Sequence, residues 1–187
     1  EAFNISEDKV YPIGIPRTDI FFDQVKIKKK KDYVYRLYPQ ILNKKVILYA
    51  PTFRGDYKRR KTFRNELDFE VMKPLFDNGF ILLYKTHPNV IEPITIPDKF
   101  KDFIYDVSLY PDINDLYFVT DILITDYSTT IFEFALLNKP IIAYAYDLNT
   151  YMDERGFYYD YDFIIPGPIF KTTEDIVEYI LNLKGFY

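Results

Sequence analysis

Short, continuous apolar runs recur along the chain from residue 46 onward. A strand buried on both faces of a parallel sheet reads as such a run, whereas a strand with one wet face alternates apolar and polar residues. The pattern therefore predicts buried strands at residues 46–50, 80–84, 103–105, 121–125 and 140–144.

Between these runs, apolar residues recur with the three- and four-residue spacing of a helix. This spacing predicts helices over residues 66–78, 112–119, 128–138 and 172–183. In the 128–138 helix, the side chains expected to face the core are Ile131, Phe132, Ala135 and Leu136.

Strands and helices thus alternate through most of the chain, which predicts an α/β fold with a mainly parallel sheet and helices on both faces. We expect one such domain over residues 46–187, preceded by a lead-in segment over residues 1–45. Residues 1–4 contain no initiator methionine and no helix cap, so we interpret the chain as a piece of a longer protein.

The lead-in segment contains a basic stretch over residues 24–42, with lysines at 26 and 28–31. One interpretation is a solvent-facing helix that breaks near Pro39, because runs of charge usually face water. The other is a helix that lies on a membrane surface and is attracted to anionic lipid. We favour the solvent-facing helix.

Composition narrows the functions open to these 187 residues. Hydrophobic residues make up 48% and charged residues 28%, which is ordinary for a globular domain and too apolar for a disordered chain. The lack of cysteine excludes a disulfide scaffold, a zinc–thiolate site and a cysteine nucleophile. A net charge of −4 argues against broad electrostatic binding to nucleic acid. No apolar run approaches the roughly 20 residues of a membrane span.

Polar and cationic side chains follow three of the predicted strands. They are Thr52 and Arg54 after the first, Lys85, Thr86 and His87 after the second, and Asp126, Ser128, Thr129 and Thr130 after the fourth. Ligands of open α/β sheets bind outside the carboxyl ends of the strands. Because hydroxyls combined with Arg, Lys or His suit a phosphate group, the pattern predicts an anion site at this edge.

Each cluster also has a purely structural interpretation. Ser128 and Thr129 open a predicted helix, where free N–H groups favour an anion, but Asp126 or Ser128 is equally suited to cap the helix with nothing bound. His87, the single histidine, is either a structural residue or a donor to phosphate. The reference pKa of a histidine side chain, about 6.5, would also suit proton transfer.

Two further sequence features have no single interpretation. Basic residues are frequent over residues 54–64, which predicts either a solvated loop or a clamp over an anionic substrate. Asp160 and Asp162 match the short Asp-x-Asp pattern of some metal-dependent glycosyltransferases. A three-residue match is too common to predict a metal site.

In chain order, these segments are similar to the CDP-glycerol glycerophosphotransferases of teichoic acid synthesis. The similarity is carried by residues 13–19, 48–54, 85–88, 112–116, 121–134, 139–142, 146–148, 155–158 and 166–168. The most specific part is the Ile-Thr-Asp-Tyr-Ser run at 124–128 together with the earlier His-Pro at 87–88. Thr129 stands where the family usually has a second serine, which keeps a hydroxyl at that position.

The resemblance implies the C-terminal half of a GT-B fold, in which an activated donor binds between two Rossmann-like halves. It implies CDP-glycerol as the donor and His87 as the catalytic group, with no metal and no cofactor. The implied substrate-binding residues are Thr52, Arg54, Asp126, Ser128 and Thr129, of which Asp126 fixes its loop.

The resemblance also implies a partner half and a cellular place. A polymer or lipid-linked acceptor would be activated by an N-terminal GT-B domain with a Trp-His-Gly motif, which this chain lacks. The enzyme would be cytoplasmic and peripheral on the inner face of the bacterial membrane.

Three alternatives remain, because no residue pattern in the sequence indicates which polyol the donor carries. A related transferase would use CDP-ribitol or build a capsule polymer. A GT-B glycosyltransferase would share the fold but use a UDP-sugar. A nucleotide-binding module without activity of its own would need only the donor site.

Overall fold

The structure is a computed structural model that describes residues 5–54, 66–87, 90, 94–157 and 159–183. Its centre is a six-stranded, fully parallel sheet with the strand order β3-β2-β1-β4-β5-β6. The strands are β1 (Lys45–Ala50), β2 (Phe80–Tyr84), β3 (Ile104–Asp106), β4 (Ile122–Thr125), β5 (Ile141–Tyr144) and β6 (Ile169–Phe170). This is the strand order of a Rossmann fold, so the predicted α/β class is confirmed.

Seven α-helices connect or flank these strands in the described part of the chain. They are α1 (Gln24–Leu37), α2 (Lys73–Asp77), α3 (Ile113–Val119), α4 (Thr130–Ala135), α5 (Leu148–Glu154), α6 (Tyr161–Ile164) and α7 (Thr173–Asn182). Side chains cap several of them. Asp23, Asp112 and Thr172 each accept a hydrogen bond from a backbone N–H in the first turn.

The helices cover both faces of the sheet, because alternate side chains of each strand point to opposite sides. Val46 and Leu48 of β1 pack in a core with residues of α1, α3 and α4. Ile47 and Tyr49 pack in a second core with residues of α2 and α7. The central strands are therefore buried on both faces of the sheet, which explains their continuous apolar runs.

The lead-in segment packs against the first of these cores. A 3₁₀ helix over Pro16–Phe22 and a second over Pro39–Ile41 flank α1. Phe21, Val34 and Ile41 are all buried within the core that includes β1 and β4. The division of the chain at residues 45 and 46 stays a prediction.

Helix α2 is much shorter than the helix predicted over residues 66–78. Only Lys73–Asp77 is α-helical, and residues 66–72 approach it through turns. Pro74 lies in the first turn of α2. Proline lacks an N–H group and clashes with the preceding turn, so it fits the start of a helix and not its interior.

The predicted inward face of the 128–138 helix is wrong at three positions. Phe132 is 55% exposed, Leu136 is 44% exposed and Ala135 is exposed as well, whereas Ile131 and Phe134 are buried. Glu133 is buried in their place. Its carboxylate is paired with Arg17 of the lead-in segment, a long-range contact that the local pattern does not contain.

Candidate functional site

The strand order creates a crevice between β1 and β4. From β1 the chain moves outward to β2 and β3, and it then returns to β4 on the other side of β1. The loops that leave neighbouring strand ends therefore turn in opposite directions, which is the point where α/β sheets bind ligands. A cleft of about 410 Å³ lies at this edge.

Side chains from five segments line this cleft. They include Arg17 from the lead-in segment, Pro51 after β1, Lys85, Thr86 and His87 after β2, Asp112 and Asn114 at the start of α3, and Ser128, Thr129 and Glu133 from the β4–α4 connection and α4. The cleft is thus rich in hydroxyls and cations at the edge where the sequence predicted an anion site.

Three of the six predicted site residues meet in the cleft: His87, Ser128 and Thr129. The imidazole of His87 packs against Phe53, with 4.8 Å between the ring centroids. Ser128 Oγ accepts the backbone N–H of Thr130 at 3.3 Å, whereas the side chain of Thr129 makes no capping hydrogen bond. The hydroxyl of Ser128 is thus partly committed to the start of α4, which leaves Thr129 as the better candidate for a ligand contact.

Asp126 lies directly after β4, where its carboxylate makes several hydrogen bonds. Its carboxylate is 1% exposed and accepts the backbone N–H groups of Thr52 (2.8 Å) and Tyr127 (2.7 Å). The other carboxylate oxygen lies 2.9 Å from a guanidinium nitrogen of Arg54. Burial raises the pKa of Asp126, and the charge of Arg54 opposes that rise. Asp126 therefore joins the loops that leave β1 and β4.

Arg54 lies in the same buried network and not in the wall of the cleft. Its guanidinium donates to both carboxylate oxygens of Asp147, at 2.7 and 3.0 Å, and to the carbonyl oxygen of Thr52 at 2.6 Å. The rings of Tyr127 and Tyr146 lie 5.1 and 5.3 Å from it, within cation–π range. These contacts use its donors inside the protein, so direct donation to a phosphate stays a prediction that the geometry does not favour.

Thr52 also lies in this network. Its N–H and C=O groups are bonded to Asp126 and Arg54, while its buried hydroxyl has no hydrogen-bond partner among the residues that the structure describes. Of the predicted clamp over residues 54–64, all but Arg54 lies outside the described residues, as does the proline of the His-Pro pair.

The sequence reasoning missed the ion pair between Arg17 and Glu133. Arg17 Nε donates to Glu133 Oε1 at 2.6 Å, and a terminal guanidinium nitrogen contacts the same oxygen. The side chain of Arg17 is 59% exposed and that of Glu133 only 9%. Arg17 lies in the 13–19 segment that carried part of the resemblance, but no local pattern pairs it with a residue more than 100 positions away.

A second cleft, of about 540 Å³, shares Ser128 and Thr129 with the first and is largely aromatic. Tyr127 stacks on Tyr151 with 3.9 Å between ring centroids, and Phe157 stacks on Tyr161 at 4.9 Å. Asp160 caps α6 below this cluster by accepting the N–H of Asp162 at 3.1 Å. The Asp-x-Asp pattern thus includes a helix cap.

Comparison with known proteins agrees with this geometry. The chain matches, over residues 1–185, the family model described as CDP-glycerol:poly(glycerophosphate) glycerophosphotransferase. It is 45% identical over 185 residues to the teichoic acid poly(ribitol-phosphate) polymerase of Bacillus spizizenii, covering 98% of this chain and 30% of that protein. It is 39% identical to the teichoic acid glycerol-phosphate transferase of Staphylococcus aureus, covering 95% and 46%. The chain thus spans less than half the length of these relatives.

A solved structure of the wall teichoic acid polymerase TagF has the same fold. It superposes with a TM-score of 0.81 and 30% sequence identity, covering 97% of this chain and 44% of TagF. A TagF variant after a 15 minute soak with CDPG gives a TM-score of 0.79. The expected fold class, one Rossmann-like half of a GT-B architecture, is therefore confirmed. The family model matches nearly the whole chain, and the fold agrees with that match. The chain therefore belongs to the CDP-glycerol:poly(glycerophosphate) glycerophosphotransferase family.

Proposed function

We propose that this chain is the donor-binding half of a transferase that moves an alditol phosphate from a CDP-alditol to a teichoic acid acceptor. The observation that carries the proposal is the polar cleft between the ends of β1, β2 and β4, where His87, Ser128 and Thr129 meet. Membership of the family supplies the class of donor. The facing half of the fold, the acceptor and the complete reaction are part of the proposal.

In the proposed reaction, a hydroxyl oxygen of the acceptor attacks the phosphorus that carries the alditol. The bond from that phosphorus to the bridging oxygen breaks, and CMP leaves with the bonding electron pair. The acceptor proton passes to a base on the facing half. His87 and Thr129 donate hydrogen bonds to the diphosphate, and such donors stabilise negative charge on the leaving group as it forms.

CDP-glycerol is the donor that the sequence resemblance implies, and we propose it first. CDP-ribitol is the second candidate, because two of the relatives with 40% identity or more are named as ribitol-phosphate polymerases. Both donors carry the same cytidine diphosphate, and the described residues of the cleft offer that group the same hydroxyls and cations.

A binding titration tests the proposal directly. The chain is titrated by calorimetry with CDP-glycerol, CDP-ribitol, UDP-glucose and CMP. We expect one of the two CDP-alditols to bind more tightly than CMP and UDP-glucose. Tighter binding of UDP-glucose would replace the proposal with a UDP-sugar transferase, and the order of the two CDP-alditols decides between glycerol and ribitol.

The proposed place of action is the cytoplasmic face of the membrane. None of the described helices is long and apolar enough to cross a bilayer. Helix α1 presents Lys26, Lys28 and Lys29 to solvent, whereas Lys30 is tied to Asp115 at 2.9 Å. Flotation with anionic and neutral vesicles tests peripheral binding, and equal recovery with both kinds of vesicle would speak against electrostatic attraction to lipid.

A further inference from the structure

One cation of the polar cleft, Lys85, is buried and has no carboxylate partner among the described residues. Lys85 follows β2 and is 6% exposed. Its ammonium group donates to the backbone carbonyl oxygens of Ser108, at 3.2 Å, and Tyr110, at 2.8 Å. No carboxylate within the described ranges forms an ion pair with it. An ammonium has three N–H donors, so one of them is left for another acceptor.

The carboxylates nearest to Lys85 are used elsewhere. Asp106, at the end of β3, accepts the N–H of Ser108 at 2.8 Å, and Asp112 caps α3. Across the cleft, Glu133 is paired with Arg17. In the part of the chain that the structure describes, no carboxylate contacts the ammonium group of Lys85, and a buried charge without a counter-ion costs free energy.

The position of Lys85 suits an anion that also reaches His87 and Thr129. Lys85 lines the same cleft as both of them, and it comes two residues before His87 at the end of β2. Its two carbonyl bonds hold the ammonium against the loop that leaves β3, and the backbone N–H of Thr86 bonds Ser108 Oγ in the same loop at 3.0 Å. Two backbone carbonyl oxygens of one loop thus hold the ammonium group in place.

We infer that Lys85 is a binding residue for the diphosphate of the donor, to which its remaining N–H donates a hydrogen bond. The inference rests on the proposed function, because that function supplies a diphosphate to the cleft. In this role Lys85 would donate a hydrogen bond to the diphosphate, and the negative charge of the diphosphate would also neutralise the buried ammonium group.

Binding of a diphosphate next to Lys85 should change the protonation of the lysine side chain. Burial lowers the pKa of Lys85, and the charges of Asp106 and Asp112 oppose that shift. A bound diphosphate stabilises the ammonium and so raises the pKa again. Just below the ordinary lysine pKa of about 10.4, binding of an anion should therefore be accompanied by uptake of a proton.

The test is calorimetric titration of the chain with inorganic pyrophosphate and with CDP-glycerol at about pH 9.5, in buffers of different ionisation enthalpy. Lys85→Met removes the charge, and Lys85→Arg keeps a charge that does not titrate. The matched control is Lys139→Met, since Lys139 is also a partly buried lysine that donates to a backbone carbonyl, that of Thr120, at the opposite edge of the sheet.

We expect Lys85→Met to weaken both ligands by about ten- to a hundredfold, the range for a hydrogen bond to a charged group. Lys139→Met should bind like the wild type. Lys85→Arg should retain most of the affinity but lose the proton uptake that the wild type shows. Far-UV circular dichroism confirms that each variant is folded.

Wild-type affinity of a folded Lys85→Met would overturn the inference. The two ligands separate this inference from the proposed function. If CDP-glycerol and CDP-ribitol bind no better than UDP-glucose but pyrophosphate still depends on Lys85, the function fails and the phosphate role of Lys85 stands.

Discussion

The sequence pattern predicted that the charge of Arg54 serves a ligand. In the structure, the guanidinium of Arg54 lies between two carboxylates. It contacts Asp126 at 2.9 Å and Asp147 at 2.7 Å, and only 19% of its side chain is exposed. The spacing after a strand predicted that Arg54 lies at the carboxyl edge of the sheet. It could not show the partners, because Asp126 and Asp147 follow β4 and β5, more than 70 residues later in the chain.

Replacing Arg54 by methionine should lower the free energy of unfolding by about 3–5 kcal/mol, the usual cost of removing one partner of a buried ion pair. The buried carboxylate of Asp126 would lose its counter-ion and the ends of β1 and β5 their link. Urea denaturation measures the change. Arg36→Met is the control, because Arg36 is exposed on α1 and contacts the ring of Tyr33. A similar small loss in both variants would contradict the structural role of Arg54.

Asp147 makes the same network sensitive to acid. Burial alone would raise the pKa of Asp147, but hydrogen bonds from Arg54 and Tyr127 outweigh it and lower the pKa below its usual value. A carboxylate with a lowered folded-state pKa contributes stability that is present above its unfolded pKa, near 3.9, and is lost as the pH falls through the folded value.

We therefore expect the stability difference between the wild type and Asp147→Asn to shrink as the pH falls below about 4. Asp126 contributes the opposite sign, since its pKa is raised, but it is present in both proteins. Melting temperatures of the two proteins from neutral pH down to about pH 3 measure the difference. A constant gap over this range would show that Asp147 does not titrate as described.

At the scale of elements, the connection from β4 to α4 combines capping and ligand binding. Ser128 Oγ accepts the N–H of Thr130, whereas the hydroxyl of Thr129 makes no cap bond. Ser128→Ala should therefore lower the melting temperature as well as the affinity for CDP-glycerol, since loss of a cap costs about 1 kcal/mol. Thr129→Ala should lower the affinity and leave the melting temperature unchanged.

Calorimetry and thermal denaturation of both single variants test this division. Thr130→Ala is a useful third variant, because Thr130 also lines the cleft while its hydroxyl lies 3.5 Å from that of Thr125. If Thr129→Ala changes the melting temperature but not the affinity, the hydroxyl serves the fold alone. The structural interpretation left open by the sequence would then be the right one.

The strands were the elements best predicted from the sequence, and the reason is their burial on two sides. β1, β2 and β5 lie within one residue of their predicted bounds, while β3 is shifted by one position. Helices fared less well where they are short, as in α2 and α4. The two-residue strand β6 and the helices α5 and α6 were not predicted, because their stability comes from neighbours and not from a repeated local pattern.

For the whole molecule, topology decided how much of the site was predictable. Parallel strands with right-handed connections bring all carboxyl ends to one edge, so clusters after β1, β2 and β4 had to be neighbours. Which of their side chains face the cleft was not predictable. That outcome depends on long-range pairs, such as Arg17 with Glu133 and Arg54 with Asp147, which no spacing along the chain encodes.

The last prediction is that this chain folds and binds a donor but does not transfer alditol phosphate. Folding is expected because both faces of the sheet are covered by the chain's own helices, in two cores that include Val34 on one side and Ile176 on the other. Transfer is not expected because the described cleft offers no group suited to take the acceptor's proton. His87 is assigned to the donor, Asp112 caps α3 and Glu133 is paired with Arg17.

Without the facing half to position the two reactants, the barrier to transfer is higher as well. Two reactants held in reacting geometry gain up to about 7–11 kcal/mol over free encounter, and in a GT-B fold the facing half supplies that geometry. The test incubates radiolabelled CDP-glycerol and a lipid-linked acceptor analogue with the chain alone and, separately, with a whole enzyme of this family. Binding of the donor without transfer is the expected result for the chain. Transfer at a rate near that of the whole enzyme would mean that a base lies within this half, and His87 would then be the first residue to reassign, from the donor to the acceptor.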